Sequence, residues 1–226
     1  MVKGVMGARS GFGMLLPSRR WLSALAGLAA LSVAGPASAT TISGSMTADD
    51  SFTAYLSTSD ASLGTPIASG SNWGFPYSFS TVSLTPGQNY YLHIDAYDAA
   101  PPGGFIGSFT LSDSGFAFVN GSQTLDTNTT DWVGNINTGS WSAPSGTIVD
   151  FGGNGVGPWN RYPSIDGAAL WIWPSESLSD GGACALCTVD LSTEIISAAT
   201  SMPEPASWVL MATALGGLGM VRRRAR

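Results

Sequence analysis

The chain contains a single histidine, His93, so any Ser-His-Asp nucleophile would have to be built on it. No Gly-x-Ser-x-Gly elbow is present to raise a serine toward it. His93 falls mid-run among Tyr91, Asp95 and Tyr97, where alternation reads it as a solvent-facing side chain. Glycoside-type chemistry needs only two carboxyl groups that meet in space. Glu176 reads as a loop residue and Glu194 as near the end of the last strand, neither in a recognisable active-site setting. No catalytic residue is assigned. Hard cations want several oxygens from a bent loop. Asp49-Asp50 precede a strand, and Asp126, Asp131 and Asp150 lie near Asn- and Gly-rich turns. Asp49 and Asp50 are therefore the candidate ligands of a structural calcium, the one cofactor considered. EF-hand spacing is absent, and capping of solvated turns is the competing role.

Aromatic residues carry the other candidate chemistry. Between the two chain ends lie six tryptophans: Trp73, Trp132, Trp141, Trp159, Trp171 and Trp173. Indole rings stack on the apolar C–H faces of sugars, and neighbouring Asp, Asn or Arg groups complete the hydrogen bonding. Trp171 and Trp173 are two apart on one run, share a face and read as core. Trp132, Trp141 and Trp159 read as loop-borne and are the candidates for stacking on a ligand. Arg161 reads as a partner for Asp166, with a sugar-binding fork as the alternative.

The elements that must hold these residues are strands. From Thr40 to about Thr200 no helical periodicity of useful length appears. Short alternating runs recur instead, the clearest being Asn89–Asp98, with Tyr90, Leu92, Ile94 and Ala96 on one side. Similar runs are Ser51–Ser57, Tyr77–Leu84, Phe105–Leu111, Gly115–Val119, Gly146–Phe151, Ala168–Trp173 and Thr188–Ile196. Turn chemistry separates them, as in Thr85-Pro86-Gly87-Gln88, Asn120-Gly121 and Gly152-Gly153-Asn154-Gly155. Eight or so strands at this spacing predict an all-β domain, a jelly-roll-type β-sandwich over residues 40–200. The runs around Ile42 and Ile195 are expected to pair at an edge and bring the ends of the domain together.

Both chain ends read as addresses rather than fold. Arg19-Arg20 precede an apolar run from Trp21 to Val33, and Ala37-Ser38-Ala39 supplies the small-residue cleavage pattern of a signal peptide over residues 1–39. Ser18-Arg19-Arg20-Trp21-Leu22 half-matches the twin-arginine pattern, and an ordinary secretory signal is the favoured reading. At the other end, Ala206–Val221 is apolar and is followed by Arg222-Arg223-Arg224. Sixteen helical residues span roughly 24 Å against a hydrocarbon core of ~30 Å. Interfacial Trp208 and snorkelling arginines cover that deficit. The arginine cluster predicts a cytoplasmic tail with the body on the far side of the membrane.

Charge is distributed to match. The chain has nine basic and fifteen acidic residues, yet between Thr40 and Met202 one basic residue, Arg161, faces fourteen acidic ones, a net of −13. A body this acidic cannot neutralise phosphates, which argues against nucleic acid as a partner. Cys184 and Cys187 are the only cysteines, and beyond the cytoplasm they are expected to close a small local disulfide. A redox pair would need an α/β frame. A zinc site would need about four ligands.

The ending Pro203-Glu204-Pro205, then a short helix with Gly216, Gly217 and Gly219, then Arg222, Arg223 and Arg224, resembles a PEP-CTERM sorting signal over residues 201–226. That resemblance implies processing by a membrane-embedded exosortase near the motif and delivery to the cell surface or the extracellular matrix. A second resemblance covers most of the body. Ala48-Asp49-Asp50-Ser51-Phe52, Gly70-Ser71-Asn72-Trp73, Leu84-Thr85-Pro86-Gly87-Gln88-Asn89 and Gly157-Pro158-Trp159 follow one another as in galactose-binding-like jelly rolls. Many of those domains bind sugars and many have no known ligand.

The sequence thus predicts an exported, non-catalytic protein, anchored in the inner membrane before processing. Extracellular polysaccharide or matrix is its expected partner. The alternatives are a purely structural matrix or adhesion component and, less favoured, a hydrolase acting on exopolysaccharide.

Overall fold

A computed structural model describes residues 39–174 and 186–198. The predicted signal peptide up to Ser38, Cys184, Glu176, the Pro203-Glu204-Pro205 motif, the 206–221 helix and the arginine cluster lie outside the described residues. Among the described residues there is no helix, and so none long and apolar enough to cross a membrane.

The described chain forms twelve strands: β1 (Thr41–Asp49), β2 (Ser51–Ser57), β3 (Thr65–Gly70), β4 (Tyr77–Ser83), β5 (Tyr90–Asp98), β6 (Gly104–Leu111), β7 (Phe116–Phe118), β8 (Thr124–Asp126), β9 (Val133–Ile136), β10 (Ile148–Gly153), β11 (Leu170–Pro174) and β12 (Cys187–Ser197). They make two antiparallel sheets. The first runs β10-β11-β6-β1-β4, with β8 also on β6, and the second runs β3-β2-β5-β12-β7, with β9 also on β12.

Alternation explains how the sheets meet. Ile42, Met46 and Ala48 of β1 and Phe105 and Phe109 of β6 point into one core. Phe52, Ala54 and Leu56 of β2, Leu92, Ile94 and Ala96 of β5, and Val189, Leu191 and Ile195 of β12 meet them from the second sheet. Apolar burial at about 25 cal/mol per Å² makes this interior the main source of stability. The all-β expectation holds, as two antiparallel sheets facing each other in a sandwich.

The edge pairing expected of the first and last runs does not form. β1 sits inside the first sheet, between β6 and β4, whereas β12 lies inside the second. The ends of the described fold nevertheless meet through one turn. Asp113 accepts hydrogen bonds from the Thr40 hydroxyl (2.6 Å) and the Gly115 amide (2.8 Å), and the Ala198 amide donates to the Gly115 carbonyl (2.9 Å).

A second, smaller apolar cluster covers the outer face of the first sheet. Trp159, Tyr162, Ile165 and Ala169, from the segment between β10 and β11, pack on Ile106 and Trp171. Polar bonds fix that segment: Ser164 to Ser45 (2.9 Å), the Asp166 amide to the Ser108 hydroxyl (2.9 Å), and the Tyr162 hydroxyl to the Trp73 carbonyl.

Candidate functional site

The outer face of the second sheet differs in chemistry. Successive cross-strand partners put Ser69, Thr53, Asp95, Asp190 and Asn135 in one row across five strands, all with side chains opposite to the core-facing residues. The adjacent row carries Tyr55, His93 and Ser192. Two loops fold over part of this face, 58–64 between β2 and β3 and 137–147 between β9 and β10.

Under those loops lies a buried polar network. His93 is fully buried, its Nε2 3.0 Å from Asp60 Oδ1 and its Nδ1 3.2 Å from the Leu63 carbonyl oxygen. Trp141 roofs it, with ring centroids 4.2 Å apart, and donates its indole N–H to the Asp60 carbonyl at 2.8 Å. Burial pushes the imidazole below the usual histidine range, while Asp60 and the Leu63 carbonyl pull it upward. The solvent-facing expectation for His93 is therefore overturned. Alternation gave the correct face, but the loops cover it. Ser192 donates to Asp60 at 2.7 Å, not to His93, so the imidazole is not placed to take its proton.

Beyond the loops the face stays open as a cleft of about 370 Å³. Its floor is Thr53 and Asp95, its walls are Ser69 and Ser71 on one side and Tyr97 on the other, and Tyr77 and Phe52 close one end. Tyr97 is 36 % exposed. Tyr77 packs edge-on against Phe52 (5.9 Å, 75°) and accepts a hydrogen bond from the Ser71 amide at 3.3 Å. Gly70 permits this, since a Cβ there would overlap the Tyr77 ring.

Asp95 has no hydrogen-bond partner among the described residues, and burial raises its carboxyl above the ordinary range. Its direct cross-strand neighbour is Asp190. Asp190 is fully buried; Oδ1 accepts from the Asn137 amide at 3.1 Å, Oδ2 has no side-chain or backbone hydrogen bond of normal geometry among the described residues, and the nearby Ser142 backbone still favours the ionised form. Desolvation first, and the Asp95 charge second among the raising effects, push Asp190 to about 6. Neither carboxylate was singled out from the sequence. The signal was there as an acidic residue at matching outward positions of two alternating runs, but only the strand register shows that they pair.

A second cleft, of about 410 Å³, lies between Leu56, Ile67, Val82 and Tyr90. No charged side chain lines it.

The sequence-selected tryptophans take other places. Trp132 is buried in the main core between Phe105 and Phe109, at 5.8 Å from each ring centroid. Trp159 is buried too, stacked on Trp171 at 4.2 Å and donating its indole N–H to Asp49 Oδ2 at 2.9 Å. Neither presents a free ring, so both stacking expectations are corrected. Trp141 is half-buried with His93 against its ring. Trp171 and Trp173 are both fully buried, as expected, although they join different clusters.

Arg161 is exposed on the cover of the first sheet and makes no ion pair with Asp166 among the described residues. Asp166 instead caps its own turn, accepting from the Ala168 amide at 2.8 Å. Asp49 is buried, and burial with its neighbours Asp50 and Asp98 raises it to about 6 against the pull of Trp159. Asp50 accepts from the Ala99 amide at 2.8 Å. Among the described residues no three His, Cys, Asp or Glu side chains are grouped as a metal site. Cys187 opens β12 and is disulfide-bonded.

No family model matches the chain, and no curated protein or solved structure matches it.

Proposed function

We propose that the protein is exported by residues 1–39, sorted through residues 201–226 by an exosortase, and released to the cell surface or extracellular matrix. There its body serves as a non-catalytic saccharide-holding module of the galactose-binding-like jelly-roll kind. The observation that carries the binding reading is the open cleft on the second sheet. An exposed tyrosine, several hydroxyl groups and a half-buried carboxylate with no hydrogen-bond partner among the described residues converge there, the mixture that recognises a polyhydroxylated ring. A carboxylate oxygen accepts from sugar hydroxyls more strongly than a neutral acceptor does. The sorting reading is independently supported by the order of parts in the tail and by the acidic body. β1 starts at Thr41, so cleavage after Ala39 leaves every described strand intact.

A glycan array probed with the purified chain tests the binding reading, with calcium present and with calcium chelated. The chelated arm asks whether Asp49 and Asp50 hold a structural ion. Binding to one or more polysaccharides that is lost in Tyr97→Ala is the expected result. Absence of binding in both conditions overturns the reading.

A further inference from the structure

The cleft also specifies the charge of what it takes. Among the described residues Asp95 is half-buried without a hydrogen-bond partner, and none that lines the cleft is basic. Behind it, one strand over in direct register, Asp190 is fully buried, and among the described residues its Oδ2 has no hydrogen bond of normal geometry. Two carboxylates side by side, with no cation near them among the described residues, leave a negative potential at and behind the floor of an otherwise neutral cleft that Asn137 and Ser142 offset only in part. The one basic residue of the body, Arg161, belongs to the cover of the opposite sheet. A buried carboxylate without a partner is costly, and the cost falls when a cation supplies both charge and hydrogen bonds.

Resting on the saccharide reading above, we infer that the cleft selects a cationic amino sugar. The ring lies on Tyr97, its hydroxyls meet Thr53, Ser69 and Ser71, and its ammonium group binds Asp95. Neutral hexoses lack the group that satisfies Asp95, N-acetylated ones carry a neutral amide in its place, and uronic acids add repulsion from both carboxylates. A divalent ion is the less suitable occupant, since calcium wants six to eight oxygens and the two carboxylates supply at most four.

Net charge alone would attract any polycation, so the test must separate the cleft from the body's overall field. The full chain, purified in mild detergent, is titrated at pH 6.5 with β-1,4-linked hexamers of glucosamine, N-acetylglucosamine and glucose, with a galacturonate hexamer, and with hexalysine. The glucosamine hexamer is expected to bind about tenfold tighter than the glucose hexamer, the scale of one charge-assisted hydrogen bond. Asp95→Asn should abolish that preference. Asp150→Asn, which removes the same charge from the exposed edge strand β10, should leave it intact.

Equal binding of the glucose and glucosamine hexamers overturns this inference while the saccharide reading stands, and so does preference for galacturonate. Hexalysine binding as tightly as the glucosamine hexamer overturns the sugar specificity. A preference that survives Asp95→Asn overturns the assignment to this cleft. Failure of all four saccharides to bind overturns the underlying reading itself.

Discussion

Replacing Asp190 by asparagine should stabilise the protein at neutral pH and leave it unchanged in acid. The carboxyl is raised from 3.8 to about 6 in the fold, chiefly by burial. A carboxyl raised by folding binds a proton that the unfolded chain has already lost, so between about pH 4 and 6 stability rises as pH falls. Roughly two pH units at about 1.4 kcal/mol each amount to some 3 kcal/mol withheld from the fold once Asp190 is ionised. Asparagine keeps the Oδ1 acceptor that Asn137 uses and turns the unpaired Oδ2 into a donor beside Asp95. At about 2–4 °C per kcal/mol for a domain of this size, Asp190→Asn should raise the melting temperature at pH 7.5 by on the order of 5–10 °C. Scanning calorimetry from pH 4 to 7.5 reads both the shift and its disappearance in acid. Asp49 is also raised to about 6, and burial raises Asp95, Asp98 and Asp126 as well, so the variant should lose only part of the wild-type pH response. A variant less stable than wild type at pH 7.5, or one with an unaltered pH slope, would refute the claim that Asp190 is a buried, poorly compensated charge.

Three further outcomes follow from named contacts. Trp159→Phe removes the indole donor from Asp49, so urea denaturation should show a loss of about 2 kcal/mol at pH 7.5 and distinctly less at pH 5, where Asp49 is mostly protonated. Gly64 has φ of +85° and its Cβ position lies 2.7 Å from Ser57 Cα; Gly64→Ala should cost at least about 2 kcal/mol in the same assay. Mass spectrometry of the protein recovered from cells should show a tail cut near Pro203-Glu204-Pro205, with the intact tail retained when the exosortase is absent.

Strong alternation made much of the fold legible. Ser51–Ser57 was bounded correctly by its own pattern, and the Asn89–Asp98 run differs from β5 by one residue. β8 and β9 are three and four residues long, too short for a period of two to stand out from a turn. β3 contains Pro66, which reads against a strand, yet β3 lies at the end of its sheet, where proline is tolerated. The site was less legible. Periodicity tells which face a residue takes and not whether a distant loop will lie over it, and that is how His93 came to be buried. Trp132 and Trp159 looked loop-borne and are, but their connections turn inward, one to the core and one to cover the first sheet. Asp95 and Asp190 are 95 positions apart in chain order by their numbers, and no local pattern links them until β5 and β12 pair.

Amide chemical-shift mapping addresses the central claim most directly, that saccharide is held on the open face of the second sheet. Titrating the labelled chain with the best glycan from the array should move Ser51–Thr53, Ser69–Ser71 and Asp95–Tyr97 together. Saturable binding whose shifts fall instead on the 154–169 cover of the first sheet would contradict it.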